Sequence, residues 1–180
     1  MKKIRLAYPV AEPAYAGKVK AFTGEYAPAF AWLRQQGYAG VELLIASPDT
    51  VDASQLEKEL ARANLELAVI GTSPMQIGEK LFLLHPDEAN RKEARRRMSG
   101  LLQLCDKFRV PAVIGKYRGQ LADRDGCRES DLEAVLTDIC REAQRLDVPV
   151  LLEPQNATNI NNINTIADGL AWIDRIGSSN

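Results

Sequence analysis

Five times along this chain a short apolar run gives way, after a break, to a stretch whose apolar residues recur at intervals of three and four. The runs are Ile4 to Tyr8, Val41 to Ile45, Leu65 to Ile70, Ala112 to Gly115 and Val150 to Leu152. Each has the length of a strand, and the last is apolar at consecutive positions, as in strands buried on both faces of a parallel sheet. The intervening stretches read as amphipathic helices. Tyr26 to Gln36 has Pro28 in its first turn, Phe30 and Leu33 on one face, and Gly37 as its stop. Asp52 or Ala53 to Ala63 turns Leu56 and Leu60 inward behind a Ser54/Glu57 capping box. Pro86 and Asp87 open a longer helix carrying Ala94, Met98, Leu101, Leu102 and Cys105 on one stripe as far as Phe108. A Ser130/Glu133 box precedes Leu132, Val135, Leu136, Ile139 and Ala143. Thr165 to Ile176 spaces Ile166, Leu170 and Ile173 helically, with Asn164 as its expected N-cap and Gly177 at its end. Pro9 to Gly24, Gly71 to Leu84 and Lys116 to Arg128 read as loops.

Strands alternating with helices call for βαβ units around a parallel sheet. At roughly 30 residues per unit, from about 250 for eight, this is five-eighths of a (β/α)8 TIM-type barrel. The expected fold is thus an α/β, incomplete barrel of about five βα units, forming a single domain over residues 1–180 with its C-terminal part missing. A doubly wound open sheet meets the same pattern. The turn after the first run has no Gly-x-Gly-x-x-Gly, which counts against a dinucleotide fold. An unclosed barrel exposes two strand edges, so a homo-oligomer that covers them is expected.

Charge narrows the partners. With 23 basic against 24 acidic residues and a pI near 5.9, nothing attracts the chain generally to nucleic acid or anionic lipid. A small neutral or acidic metabolite suits it better. Arg91, Lys92, Arg95, Arg96 and Arg97 gather on one helix face, but Glu88 and Glu93 are interspersed, so we read a solvated surface. The start, Met1-Lys2-Lys3-Ile4-Arg5, has no signal-peptide apolar region, and no stretch is long and apolar enough for a membrane span, so a cytoplasmic location is expected. Cys105, Cys127 and Cys140, odd in number and widely spaced, fit reduced thiols.

The chemistry concentrates at the end of the fifth run. Glu153 follows Val150-Leu151-Leu152, Pro154 stops the strand, and a polar loop from Gln155 to Asn164 leads into the helix. An acid at a strand's carboxyl end is where α/β active sites place their working groups. Glu42 is the only charge in the second run, either turned toward a polar centre or paired locally. Arg118 suits clamping of a hydroxyl or carboxylate, or plain exposure on a loop. The asparagines between Asn156 and Asn164 suit either polyol binding or turns and caps. His85, the only histidine, precedes Pro86 at a helix start and reads as a cap or an exposed side chain.

Taken in order, several pieces give the chain a family resemblance: Gly37-Tyr38-Ala39-Gly40-Val41-Glu42, Ala68-Val69-Ile70-Gly71-Thr72, Leu84-His85-Pro86-Asp87, Val113-Ile114-Gly115 with Arg118-Gly119, and Glu153-Pro154-x-Asn156 with Asn161, Asn164 and Thr165. The chain resembles the xylose-isomerase-like TIM barrels, specifically the sugar isomerases and epimerases that include ketose 3-epimerases and a 5-keto-gluconate epimerase-like branch. The resemblance implies that Glu153 is both catalytic acid/base and ligand of a divalent cation, Mn or Mg. It also implies that Glu42, Arg118 and Asn156 lie near a small sugar or sugar-acid substrate. The family's Glu-x-x-Asn-Arg-x-Glu reads here Glu153-Pro154-Gln155-Asn156-Ala157-Thr158-Asn159, without the arginine and the second acid. The family's remaining ligands, an aspartate, a histidine and a second glutamate, belong to strands six to eight, so the expectation is a chain truncated after its fifth unit and inactive by itself. Two functions follow: a metal-dependent sugar isomerase or epimerase working through an enediolate, or a catalytically dead, self-associating fragment or binding module of the same fold.

Overall fold

The structure, a computed structural model, describes residues 4–122 and 126–180. Its strands are β1 (Ala7–Ala11), β2 (Phe22–Thr23), β3 (Gly40–Leu44), β4 (Glu66–Gly71), β5 (Ala112–Ile114) and β6 (Val150–Leu152). The helices are α1 (Tyr26–Gln35), α2 (Ala53–Ala63), α3 (Ser73–Glu79), α4 (Glu88–Phe108), α5 (Glu129–Arg145) and α6 (Ile166–Ile176). All strand pairs are parallel, in the order β2-β1-β3-β4-β5-β6. Apart from the two-residue β2, neighbours in the sheet are neighbours in sequence. There is no reversal of strand order, which is what a doubly wound sheet would show, so the sheet is part of a TIM-type barrel.

Alternation along the strands separates two faces. Val10, Val41, Leu43, Ile45, Ile70, Ala112 and Ile114 join the helix stripes in one core, with Phe30 and Leu33 from α1, Leu56 and Leu60 from α2, Met98 and Leu101 from α4, and Leu132 and Leu136 from α5. On the other face Ala11, Leu44 and Ala46 are covered by Tyr15, Val19 and Ala21 of the loop after β1. Elsewhere that face is open, and Leu151 in β6 stays 46% exposed. The outer side of α6 is open too, with Ile166 76%, Leu170 58% and Ile173 49% exposed. Among the described residues no helix is long and apolar enough to cross a membrane.

Several local readings move. The first strand runs from Ala7, not Ile4, because Ile4 and Leu6 project into solvent while Val10 and Ala11 are buried on opposite faces. Pro9 fits inside it for a definite reason. Leu6 O accepts from Gly40 N at 3.1 Å on the β3 side and Ala11 O from Gly24 N at 3.1 Å on the β2 side, so by alternation Pro9 lacks its N–H on the outer edge, short of β2. The loop after β1 thus contains a strand, and the loop after β4 contains α3, which Pro74 helps to start from the first turn. The caps move as well. Asp52 accepts from Gln55 N at 2.9 Å in place of the Ser54 box, and Asp131 accepts from Arg128 N at 2.6 Å in place of the Ser130 box. At α6 Thr165, not Asn164, is the N-cap: its hydroxyl accepts from Asp168 N at 3.1 Å while Asp168 accepts from Thr165 N at 2.9 Å.

Candidate active site

Glu42 and Glu153 occupy the same open face of the sheet. Glu42 lies between Val41 and Leu43, which point into the helix core, so its side chain points the other way and is half-buried. It stands beside Gly71 of β4, where an added Cβ would sit 3.3 Å from Glu42 Oε1 and 2.7 Å from Leu44 Cδ2. Glu153 follows β6, its N–H donating to Ile114 O of β5 at 3.0 Å. Its exposed carboxylate lies over Gly115, where a Cβ would meet Glu153 Oε2 at 2.5 Å and Gln155 Nε2 at 3.2 Å. The two glycines therefore leave the space that the two carboxylates use. The carboxylates also feel each other: burial, and then the negative charge of Glu153, hold the Glu42 carboxyl above its ordinary range. Among the described residues neither acid forms a salt bridge.

Arg118 takes a different place from the one expected. It is fully buried, and all its N–H groups donate inside the protein. Nε donates to Asn162 Oδ1 (2.7 Å), Nη1 to Gly115 O (2.8 Å) and Glu153 O (2.9 Å), and Nη2 to Asn162 O (2.8 Å) and Ile163 O (3.0 Å). No donor is left for a substrate, so Arg118 holds the end of β5, the end of β6 and the loop before α6 in one arrangement. Burial pulls its pKa down to about 10, with Glu153 acting in the opposite direction.

The asparagine-rich loop is likewise spent on structure. Asn161 pairs with the backbone of Leu121 through Oδ1 (2.9 Å) and Nδ2 (2.7 Å). Gln120 returns the same contact to Asn161 N (2.8 Å) and Asn159 O (2.9 Å). Asn162 also donates to Gly119 O (2.9 Å), and Asn164 to Gln155 O and Ile160 O (both 2.8 Å). Asn156 is the exception. It is exposed, its Oδ1 accepts from Thr158 N (2.9 Å) and Oγ1 (3.0 Å), and its amide N–H groups have no partner among the described residues.

His85 caps the entry to α4, its Nδ1 accepting from Asp87 N at 3.0 Å. The arginines of α4 are engaged: Arg96 with Glu93 and Asp49 (both 2.8 Å), Arg97 with Glu93 (2.9 Å), Glu79 (2.7 Å) and Ala46 O (2.6 Å), and Arg91 with His85 O (2.6 Å). The paired guanidinium groups of Arg96 and Arg97 hold the Glu93 carboxyl down at about 2. One acid passed over in the sequence stands at the same end of the sheet. Glu12 directly follows β1 and is half-buried, and after burial itself its charge is the next cause that pushes Tyr26 up to about 12.

Could these residues hold a cation? Among those described, no group of three or more histidine, cysteine, aspartate or glutamate side chains converges. A hard divalent ion takes about six ligands, so Glu42 and Glu153 do not amount to a metal site by themselves. What the arrangement can do is receive and return a proton at Glu153, on a face open to a small molecule.

In sequence, the chain matches the xylose isomerase-like TIM barrel family over residues 30–180. A comparison with curated proteins finds no match. Among solved structures it is similar to an L-ribulose 3-epimerase, at TM-score 0.73 and 21% identity, covering 99% of this chain and 59% of that one. D-allulose 3-epimerase from Methylomonas sp. in complex with D-allulose gives 0.69 and 20%, covering 97% and 60%. A xylose isomerase-like TIM barrel protein from Mycobacterium smegmatis in complex with magnesium gives 0.65 and 12%, covering 96% and 61%. The chain thus spans about three-fifths of the length of these neighbours. With the sequence match covering most of the chain and the parallel sheet superposing on these barrels, the chain belongs to the xylose isomerase-like TIM barrel family.

Proposed function

We propose that the chain serves sugar isomerisation or epimerisation, with Glu153 moving a proton at a carbon next to a ketone. The observation that carries this reading is the placement of the Glu153 carboxylate: at a strand's carboxyl end, over a glycine, on the open face and without a salt bridge among the described residues. Proton removal beside a carbonyl passes through an enediolate, and a positioned carboxylate is a suitable base for it. The ketose 3-epimerases among the structural neighbours support a ketose or keto-acid sugar as the substrate class. Asn156, three residues after Glu153 and with amide donors unpartnered among the described residues, would bind a sugar hydroxyl. Glu42, half-buried across the same face, would hydrogen-bond a sugar hydroxyl.

The magnesium complex in one neighbour supports a divalent cation, Mn or Mg, in the complete family fold, with Glu153 as one ligand. Other ligands would come from outside the described residues, so the activity is proposed for the complete barrel. The test is a barrel completed with the three C-terminal βα units of an L-ribulose 3-epimerase, supplied with Mn2+ and a ketose. Conversion that is abolished by Glu153→Gln supports the assignment. Conversion that survives this substitution removes it.

A second reading is a self-associating module without turnover. It is favoured by the exposed stripe Ile166, Leu170 and Ile173 on α6. The stripe is nearly symmetrical about Leu170, so an antiparallel copy could cover it across a two-fold axis. A sedimenting dimer that neither binds Mn2+ nor exchanges a substrate proton would favour this reading, and a stable monomer would count against it.

A further inference from the structure

We propose that Arg118 is the positioning residue of this site, a buried guanidinium that prefabricates the platform on which the Glu153 carboxylate stands. The five N–H bonds of a guanidinium radiate in a rigid plane. Here they are spread over three pieces of backbone that meet only at the strand ends: Gly115 after β5, Glu153 after β6, and Asn162 with Ile163 in the strap that leads to α6. The acceptors are four main-chain carbonyls and one amide oxygen, with no carboxylate among them. A charge buried without a counter-ion is costly. Neutral amides would be the cheaper way to tie two loops, and Gln120 and Asn161 do so immediately alongside.

What the arginine adds is control of Glu153. Its bond to Glu153 O fixes the main chain at that residue, and with it the direction in which the side chain leaves. Two residues on, Gln155 is held from both ends, its N donating to Ile163 O at 3.0 Å and its O accepting from Asn164 Nδ2 at 2.8 Å. Ile163 O is shared between Gln155 N and Arg118 Nη2, so strap and strand end move together or not at all. Arg118 also places a fixed positive charge near a carboxylate that has no other cationic partner among the described residues. Lysine cannot replace it, since three rotating donors do not match a planar set of five acceptors.

The test needs no turnover, so it stands whatever becomes of the epimerase reading. Glutamate carboxyl carbons are labelled with 13C, and the Glu153 resonance is identified by its loss in Glu153→Gln. The parent shows one sharp Glu153 line. Arg118→Ala broadens or splits it, and guanidinium at low millimolar concentration restores it by filling the vacated space. Arg118→Lys leaves it broadened. In parallel, exchange of the Leu121, Gln155 and Asn161 amides accelerates on the order of 100-fold in Arg118→Lys, as expected when hydrogen bonds to a charged donor are lost. Leu56→Ala, in the remote core of α2, shows how much acceleration lowered global stability alone produces. If Arg118→Ala folds only with guanidinium present, Arg118→Lys carries the comparison. A sharp Glu153 line in Arg118→Lys, or exchange no faster than in Leu56→Ala, overturns the proposal.

Discussion

Adding one methyl group under Glu153 separates the site from the fold. In Gly115→Ala the new Cβ lies 2.5 Å from Glu153 Oε2 and 3.2 Å from Gln155 Nε2. That is about 1 Å closer than the separation at which non-bonded atoms attract. Something has to yield, and the carboxylate is the free end of an exposed side chain, so it yields at a rotamer cost of about 1 kcal/mol or less. Gly71→Ala is the informative contrast. Its Cβ would meet Leu44 Cδ2 at 2.7 Å, and Leu44 is a buried side chain packed with Ala11, Tyr15 and Ala46. Overpacking there costs about 1–3 kcal/mol. We therefore expect urea unfolding to show Gly115→Ala close to the parent and Gly71→Ala clearly destabilised. In the completed barrel Gly115→Ala should lower the ketose conversion rate on the order of 100-fold, the loss that a displacement of about 1 Å at a reacting group brings. Full activity in Gly115→Ala, or a stability loss larger than in Gly71→Ala, would refute the placement of the carboxylate over Gly115.

Two further outcomes follow from the same geometry. The folded state raises the Glu42 carboxyl above its ordinary value of 4.5, so it binds that proton more tightly than the unfolded chain does. The contribution is fully present below the unfolded value and is lost as pH rises through the folded one. Glu42→Gln should thus be more stable than the parent at pH 7, with the gap closing below about pH 4.5; urea midpoints at the two ends check it, and equal gaps at both would contradict it. Thr165→Ala removes the hydroxyl that caps α6. It should cost about 1 kcal/mol by thermal or urea unfolding, whereas Asn164→Ala acts through the loop bonds to Gln155 and Ile160 instead.

How much of this could be read from the residues alone depended on how local each signal was. The helices of the five units were legible because a 3.6-residue stripe is a local property, and α1 and α6 lie within a residue of where their stripes put them. The start of β1 was not legible, since Ile4 and Leu6 are as apolar as Val10, and only packing under the loop at Tyr15 and against α1 decides which are buried. The helix α3 was hidden because Gly71-Thr72-Ser73-Pro74 reads as a breaker, while Pro74 in a first turn is also a helix starter. Glu153 could be placed at a strand end from its own neighbourhood. Arg118 could not, because four of its five acceptors are backbone oxygens, which leave no trace in a residue pattern, and four of the five bonds reach residues 35 to 45 positions away. Separation in sequence also hid the space that Gly71 and Gly115 leave for the two acids.

The most direct measurement is deuterium exchange. A ketose is incubated in D2O with Mn2+ and the completed barrel, and label arriving at the carbon beside the ketone is followed by NMR, with and without Glu153→Gln. Losing a working acid/base should slow incorporation by about 100- to 10,000-fold, with the unfolding midpoint unchanged. Incorporation at the parent rate in Glu153→Gln would contradict the account, and the proton would then have to be moved by another group.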